Sequence, residues 1–188
     1  MNDFLKLLNS ILPLSSKDKE LIKSYFREEY LKKGDNYLEV SRVATKIGFV
    51  VDGLLKSVYI KENGTTYISG FIQKGEFAVN LGSLTTQSPS KEFIEVIRDT
   101  HILSINISSY KELIRHVEKF NQIMFLIMER TFIERDTLKS QLLSENAENR
   151  LSILFKMNPE LVREAPKKDV ASFLGLSKYT ISRIKMAN

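Results

Sequence analysis

Residues 167–186 read Lys-Lys-Asp-Val-Ala-Ser-Phe-Leu-Gly-Leu-Ser-Lys-Tyr-Thr-Ile-Ser-Arg-Ile-Lys-Met, and few chain geometries satisfy that spacing. Two short helices that cross steeply through a turn of about three or four residues need a small side chain where their backbones touch. Ala171 supplies it. The first helix must then end on a residue in the left-handed conformation, where a Cβ is penalised. Gly175 stands four residues on. Val170, Leu174, Leu176, Ile181 and Ile184 fall on the inward faces and make a small core, and Ser177 is placed to cap the second helix. The spacing predicts a helix-turn-helix.

A structural helical hairpin obeys the same packing rules, so the unpacked face has to separate the two readings. Outward positions of the second helix carry Lys178, Tyr179, Ser182, Arg183 and Lys185, a set of donors with one aromatic and no carboxylate. Phosphates and guanine edges accept such donors. With Lys167, Lys168 and Arg163, residues 161–188 hold six Lys or Arg against two acidic residues, so this stretch carries +4 of the net +5. The positive charge lies where a duplex would lie.

A chain of 188 residues suits one sizeable domain plus a small one. There is no cysteine, which excludes disulfides, zinc–cysteine sites, iron–sulfur clusters and thiol catalysis. Residues 1–14 lack the basic and long apolar regions of a signal peptide. The longest apolar run, residues 123–128, is too short to span a bilayer. A cytoplasmic protein is expected, with no membrane partner.

Residues 2–30 have helical apolar spacing, interrupted at Pro13 and restarted at Ser15 or Ser16. From 31 to 107 short β-type runs alternate with Gly34-Asp35, Asp52-Gly53, Asn63-Gly64 and Gly75-Glu76. Asn63-Gly64 lies between runs 54–60 and 66–72 and predicts a hairpin with a primed turn. Residues 85–90 read as a polar loop, after which 93–97 and 101–107 resume the strands. Strands at this spacing point to a sandwich or jelly roll. The period is helical again over 109–116 and over 118–143, and a break at 144–149 precedes a further helix from 150 to 157.

The first half of the long helix is apolar all round and must be covered on more than one side. The roll covers one. The other is covered by the same helix of a second subunit, along a seam at Met124, Ile127, Thr131, Leu138 and Leu142, or else by a monomeric core; Glu134 and Arg135 interrupt the seam.

This order of elements, with Ala171 to Ser177, Ile181 to Ile184, Gly34-Asp35, Gly53, Gly75-Glu76-Phe77 and Leu81-Gly82, resembles the CRP/FNR superfamily of bacterial transcription regulators. The resemblance implies an α+β fold in three parts. Residues 1–117 would form an N-terminal double-stranded β-roll (jelly roll, cyclic-nucleotide-binding-like), 118–143 a long dimerisation helix, and 144–188 a C-terminal all-α helix-turn-helix domain. It implies double-stranded DNA and a second copy of the chain as partners, RNA polymerase as a third, and room for a small-molecule effector. By position, Lys178, Tyr179 and Arg183 match residues that reach base edges in family members, and Arg183 offers the bidentate fork that guanine accepts. Tyr179 departs from the glutamate often found there. Ala165-Pro166-Lys167 leaves little room for the hairpin wing of many members, so a trimmed DNA-binding domain is expected.

Family members that bind a cyclic nucleotide hold its phosphate with an arginine and its ribose with a glutamate, after a Gly-Glu-Phe segment. Aligned on Gly75-Glu76-Phe77 and Leu81-Gly82, this chain places Asn80 at the glutamate position and Ser90 at the arginine position. Lys91 is one residue off and lacks the planar fork. Effector contacts, if there are any, fall on Gly75, Glu76, Asn80, Leu81, Gly82, Ser90 and Lys91. No cofactor is identified, and weak or absent binding of cyclic AMP is expected.

Two other classes compete. A jelly-roll metalloenzyme needs several His and carboxylates converging in the roll, and the chain has only His101 and His116; no enzyme is expected. The remaining alternative is a cyclic-nucleotide or other small-molecule binding protein whose helix-turn-helix serves protein interaction. A steep salt dependence of DNA binding separates that reading from a DNA-reading one.

Overall fold

The computed structural model describes residues 1–183, with Lys178, Ser182 and Arg183 as backbone only; Ile184 and Lys185, assigned above to the small core and to DNA, lie outside the described residues. Helices α1 (Asn2–Ile11) and α2 (Ser16–Tyr25) open the chain. Ser15 starts α2 with a capping box: its hydroxyl accepts from the Asp18 N–H, and the Asp18 carboxylate accepts from the Ser15 N–H. The helical pattern expected through Tyr30 stops sooner. Phe26 turns extended and packs edge-on against Phe4. Arg27–Leu31 becomes strand β1, whose backbone pairs with residues 100–104. Long-range pairing overrides the local period here.

The strands that follow are β2 (Asn36–Leu38), β3 (Lys46–Ile60), β4 (Thr66–Gln73), β5 (Phe77–Ala78) and β6 (Glu92–Asn106), all antiparallel to their neighbours. The two runs expected at 93–97 and 101–107 are one continuous 15-residue strand, and the Asp52-Gly53 break lies inside another of equal length. These two long strands build the roll. Residues 46–52 of β3 and 101–106 of β6 form a first layer with β1 and β5, while 54–60 and 92–98 form a second layer with β2 and β4. The register shifts between Val50 and Leu55 mark the bend from one layer to the other.

The β3–β4 hairpin exists, but its turn is not the primed two-residue type. Asn63 keeps an ordinary negative φ, whereas Gly64 is left-handed at φ +81°. The loop is Glu62-Asn63-Gly64, closed by Gly64 N–H donating to Lys61 C=O and Lys61 N–H donating to Thr65 C=O. Asn63 accepts from both the N–H and the hydroxyl of Thr65, which rewards the longer loop. Part of the expected polar loop is also helical: α3 (Leu81–Thr86) is started by Asn80, whose side chain accepts from the Ser83 N–H.

Helix α4 (Ile107–His116) begins two residues before the expected start at 109, because Asn106 caps it by accepting from Ser109 N–H. Helix α5 (Glu118–Ser144) matches the expected long helix to within one residue. Four short helices complete the described chain: α6 (Ala147–Met157), α7 (Pro159–Glu164), α8 (Lys167–Phe173) and α9 (Lys178–Arg183).

The result is a stack of decks. Phe4 packs on Phe49 of the first layer, Phe26 on Phe120 of α5, so the N-terminal helices and the start of α5 cover that layer's outer face. The roll interior is filled by side chains such as Leu38, Leu55, Ile94, Val96 and Ile102. At Gly48 a Cβ would collide with Ile102 Cδ1 and lie 2.6 Å from the Tyr37 hydroxyl. Helices α6–α9 cover the outer face of the second layer, in a separate apolar cluster that joins Leu54, Val58, Ile68, Phe71 and Ile97 to Leu151, Leu154, Leu161, Val170, Leu174 and Ile181.

Candidate nucleic-acid interface

Helix α8 ends as the sequence requires. Leu174 is the last right-handed residue and Gly175 follows at φ +67°. Leu176 N–H donates to Ala171 C=O and Gly175 N–H to Ser172 C=O, the paired bonds of a Schellman turn. Arg150 of α6 donates to the freed Leu174 carbonyl and, from Nε, to Glu145 C=O, so it pins the turn to the preceding helices. Ser177 caps α9, its hydroxyl accepting from Thr180 N–H at 3.1 Å. Val170, Ala171, Leu174 and Ile181 are buried and Leu176 is half-buried. Tyr179 is 66% exposed, and Ser177, Lys167 and Lys168 are exposed.

The residues considered for an effector divide into two groups. Asn80, Gly82, Ser90 and Lys91 line a shallow pocket of about 260 Å³ with Tyr59 as its aromatic wall. Gly75, Glu76 and Leu81 do not line it. Gly75 and Glu76 instead make a turn: Gly75 donates to Val50 C=O, and the Glu76 carboxylate accepts from Gln73 N–H. Burial pushes the Glu76 carboxyl above the usual carboxylate range, against that hydrogen bond and the nearby Arg135. Within the pocket Asn80 is already occupied at both ends, its oxygen on Ser83 N–H and its amide donating to Glu92. The Ser90 hydroxyl accepts from Glu92 N–H. A second cavity, lined by Tyr37, Lys46, Asn80 and Ile94, holds about 40 Å³. Both fall below the roughly 300 Å³ of an ordinary small-molecule site. Among the described residues no three His, Asp or Glu side chains gather as a metal-holding group.

The residues of the expected seam on α5 fall on more than one face. Met124 is 3% exposed and belongs to the core of its own roll, and Ile127 packs partly against that core. Thr131, Leu138 and Leu142 are half-buried, Leu142 against the second apolar cluster. The open face carries Phe125, Leu126, Met128, Phe132 and Ile133, with Phe125 64% and Phe132 71% exposed. The first residues of the helix choose this rotation, because Phe120 and Ile123 bury completely against the roll.

The whole arrangement has counterparts among solved structures. The Thermus thermophilus catabolite activator protein aligns over 95% of this chain and 84% of its own, at 20% identity and a TM-score of 0.59. FixK2 from Bradyrhizobium japonicum aligns over 85% and 82%, at 18% identity and 0.67. The c-di-GMP-responsive regulator CLP of Xanthomonas campestris aligns over 90% and 89%, at 11% identity and 0.70. This chain has the CRP/FNR fold. Neither a protein-family model nor a curated protein matches the sequence.

Within the CRP/FNR fold of this chain, the contacts between the two ends of the molecule went unforeseen. Lys56, on the outer face of the second layer, is 7% exposed; its ammonium lies 3.0 Å from the Asp169 carboxylate of α8 and 3.3 Å from Glu95. Arg98 pairs with Asp52 and with Glu164 of α7. Ile68 N–H of β4 donates to the Ser172 hydroxyl, and Phe71 meets Phe173 edge-on. A signal for this was present in residues 54–60, Leu-Leu-Lys-Ser-Val-Tyr-Ile, where apolar side chains fall on both faces of the strand. Such strands are covered on both sides. No helix of the described residues is long and apolar enough to cross a membrane.

Proposed function

We propose that the chain is a sequence-specific, DNA-binding transcription regulator that acts in the cytoplasm as a homodimer on a palindromic site. What supports this most is the closed helix-turn-helix, whose Gly175 turn and Ser177 cap leave Tyr179, Lys167 and Lys168 facing outward. Residues 1–117 serve as the roll, 118–143 as the dimer helix and 144–188 as the DNA-binding part. Two recognition helices presented about 34 Å apart would meet successive major grooves. Lys178, Tyr179, Ser182, Arg183 and Lys185 are the base-edge and phosphate contacts, with Ser177, Lys167 and Lys168 at the backbone. RNA polymerase is a further partner on this reading.

The second subunit covers the open face of α5. Phe125, Met128 and Phe132 recur at the three- and four-residue spacing of a helix–helix seam, flanked by Leu126 and Ile133. The roll does not bind cyclic AMP in the usual way, since Asn80 and Ser90 are spent on internal hydrogen bonds and the interior is packed. Any effector would use the Asn80–Lys91 pocket.

Selection of bound sequences from a random duplex pool, without added ligand, tests the reading. An inverted repeat that is enriched by the parent chain and lost with Arg183→Ala is the expected outcome. No enrichment, with or without candidate effectors, would count against it.

A further inference from the structure

In a helix-turn-helix domain that carries a wing, strands of the domain itself help to close the helical core. Here only Ala165 and Pro166 separate α7 from α8, with no strand among the described residues after β6. The buried positions of α6–α9 nonetheless form a continuous cluster, and the strands that complete it belong to the roll: Leu54 and Val58 of β3, Ile68 and Phe71 of β4, and Ile97 of β6.

We infer that the outer face of the roll's second layer is a structural part of the helix-turn-helix unit and holds that unit in one orientation whether or not anything occupies the roll. Three features make the contact a fixed clamp. The apolar surface of the helices runs into the sheet without a polar boundary, as in a domain core. The free edge of β4 is closed by α8, where Ser172 accepts the Ile68 N–H. At the centre Lys56 and Asp169, 7% and 5% exposed, pair across the contact. Sliding or partial opening is disfavoured because it strips the Asp169 carboxylate of its cation before water reaches it, while Lys56 keeps only Glu95, 3.3 Å away on the roll itself. The Arg98–Glu164 pair marks the rim. The cavity lined by Tyr37, Lys46, Asn80 and Ile94 is only about 40 Å³, and the wider Asn80–Lys91 pocket is lined by none of the residues that form the contact.

Hydrogen exchange on the full chain tests this without DNA, so its failure and that of the DNA-binding reading are distinguishable. In the parent chain the amides of 167–174 and of β4 should exchange as one class, and cyclic AMP at about millimolar concentration should leave them unchanged; a separate, faster class for α8, or a change on adding the nucleotide, overturns the inference. Lys56→Met, which strands Asp169, should speed exchange of 167–174 and of the Ile68 amide by about tenfold or more, with β1 unaffected. The double variant Lys56→Met/Asp169→Leu should restore it, since an apolar pair replaces the buried ionic one and Glu95, whose side chain is 31% exposed, stays solvated without the lysine. Unchanged exchange in Lys56→Met would show that the helices hold themselves. If that variant does not fold, the parent-chain measurement decides alone.

Discussion

Gly53 faces Thr100 across the two long strands so closely that a Cβ on Gly53 would lie 2.6 Å from the Thr100 Cα and collide with its hydroxyl oxygen. Gly53 also sits at φ +128°, in the middle of the register shifts that carry β3 and β6 from one layer to the other. The bend of the roll therefore depends on a residue without a side chain. Gly53→Ala should destabilise the protein by about 3 kcal/mol or more through strained backbone and steric overlap. Chemical denaturation measures it; a loss below about 1 kcal/mol would mean that the bend tolerates a Cβ.

Phe132 is 71% exposed and contributes little to its own core. Phe132→Arg should leave the circular dichroism spectrum unchanged, convert a dimer to a monomer in sedimentation, and weaken DNA binding about a hundredfold or more, because one half-site is held where two were. A variant that stays dimeric would place the seam elsewhere on α5.

If Lys167 and Lys168 neutralise phosphates in both subunits, affinity for DNA should fall with salt at a slope of about −4 or steeper in a log–log plot. Lys167→Ala/Lys168→Ala should flatten that slope while leaving the preferred sequence unchanged. Fluorescence anisotropy over a salt series reads both, and a slope near zero for the parent chain would favour protein interaction as the role of this motif.

Calorimetry with cyclic AMP should detect no micromolar site. The Asn80 amide is committed to Glu92, and Ser90, where the resemblance to nucleotide-binding regulators would put an arginine, provides no cation. A micromolar site that survives Lys91→Ala would contradict this account of the pocket.

Burial raises the Glu76 carboxyl above its ordinary value. A group whose folded-state pKa is raised contributes stability that is fully present below the unfolded pKa and is lost as pH rises through the folded pKa. Stability should accordingly decline across the range just above about pH 4.3, and Glu76→Gln, which can still accept from Gln73 N–H, should remove that part of the decline. Denaturation midpoints between about pH 4 and pH 7 test it, and parallel profiles for parent and variant would refute it.

The parts of the molecule legible in its sequence are those whose physics is local. Ala171, Gly175 and Ser177 specify a turn because small size, a left-handed backbone and a capping hydroxyl act within a few residues of themselves. The 27 residues of α5 announce themselves by composition and length. Local periodicity misleads at residues 27–30, where β1 owes its strand to partners more than 70 positions away, and at Asn63-Gly64, where a side-chain bond to Thr65 selects the longer loop. It also fails to set the rotation of α5, since every face of residues 123–128 is apolar and only the docking of Phe120 and Ile123 on the roll decides which one remains open. Lys56 and Asp169 lie 113 positions apart, and each alone reads as an ordinary surface charge. Sequence by itself determined the helix-turn-helix, the long helix and the strand-rich middle of the chain; tertiary structure alone decided where several strands begin and end and which surfaces meet, because strand pairing, burial and charge pairing depend on distances that no local pattern encodes.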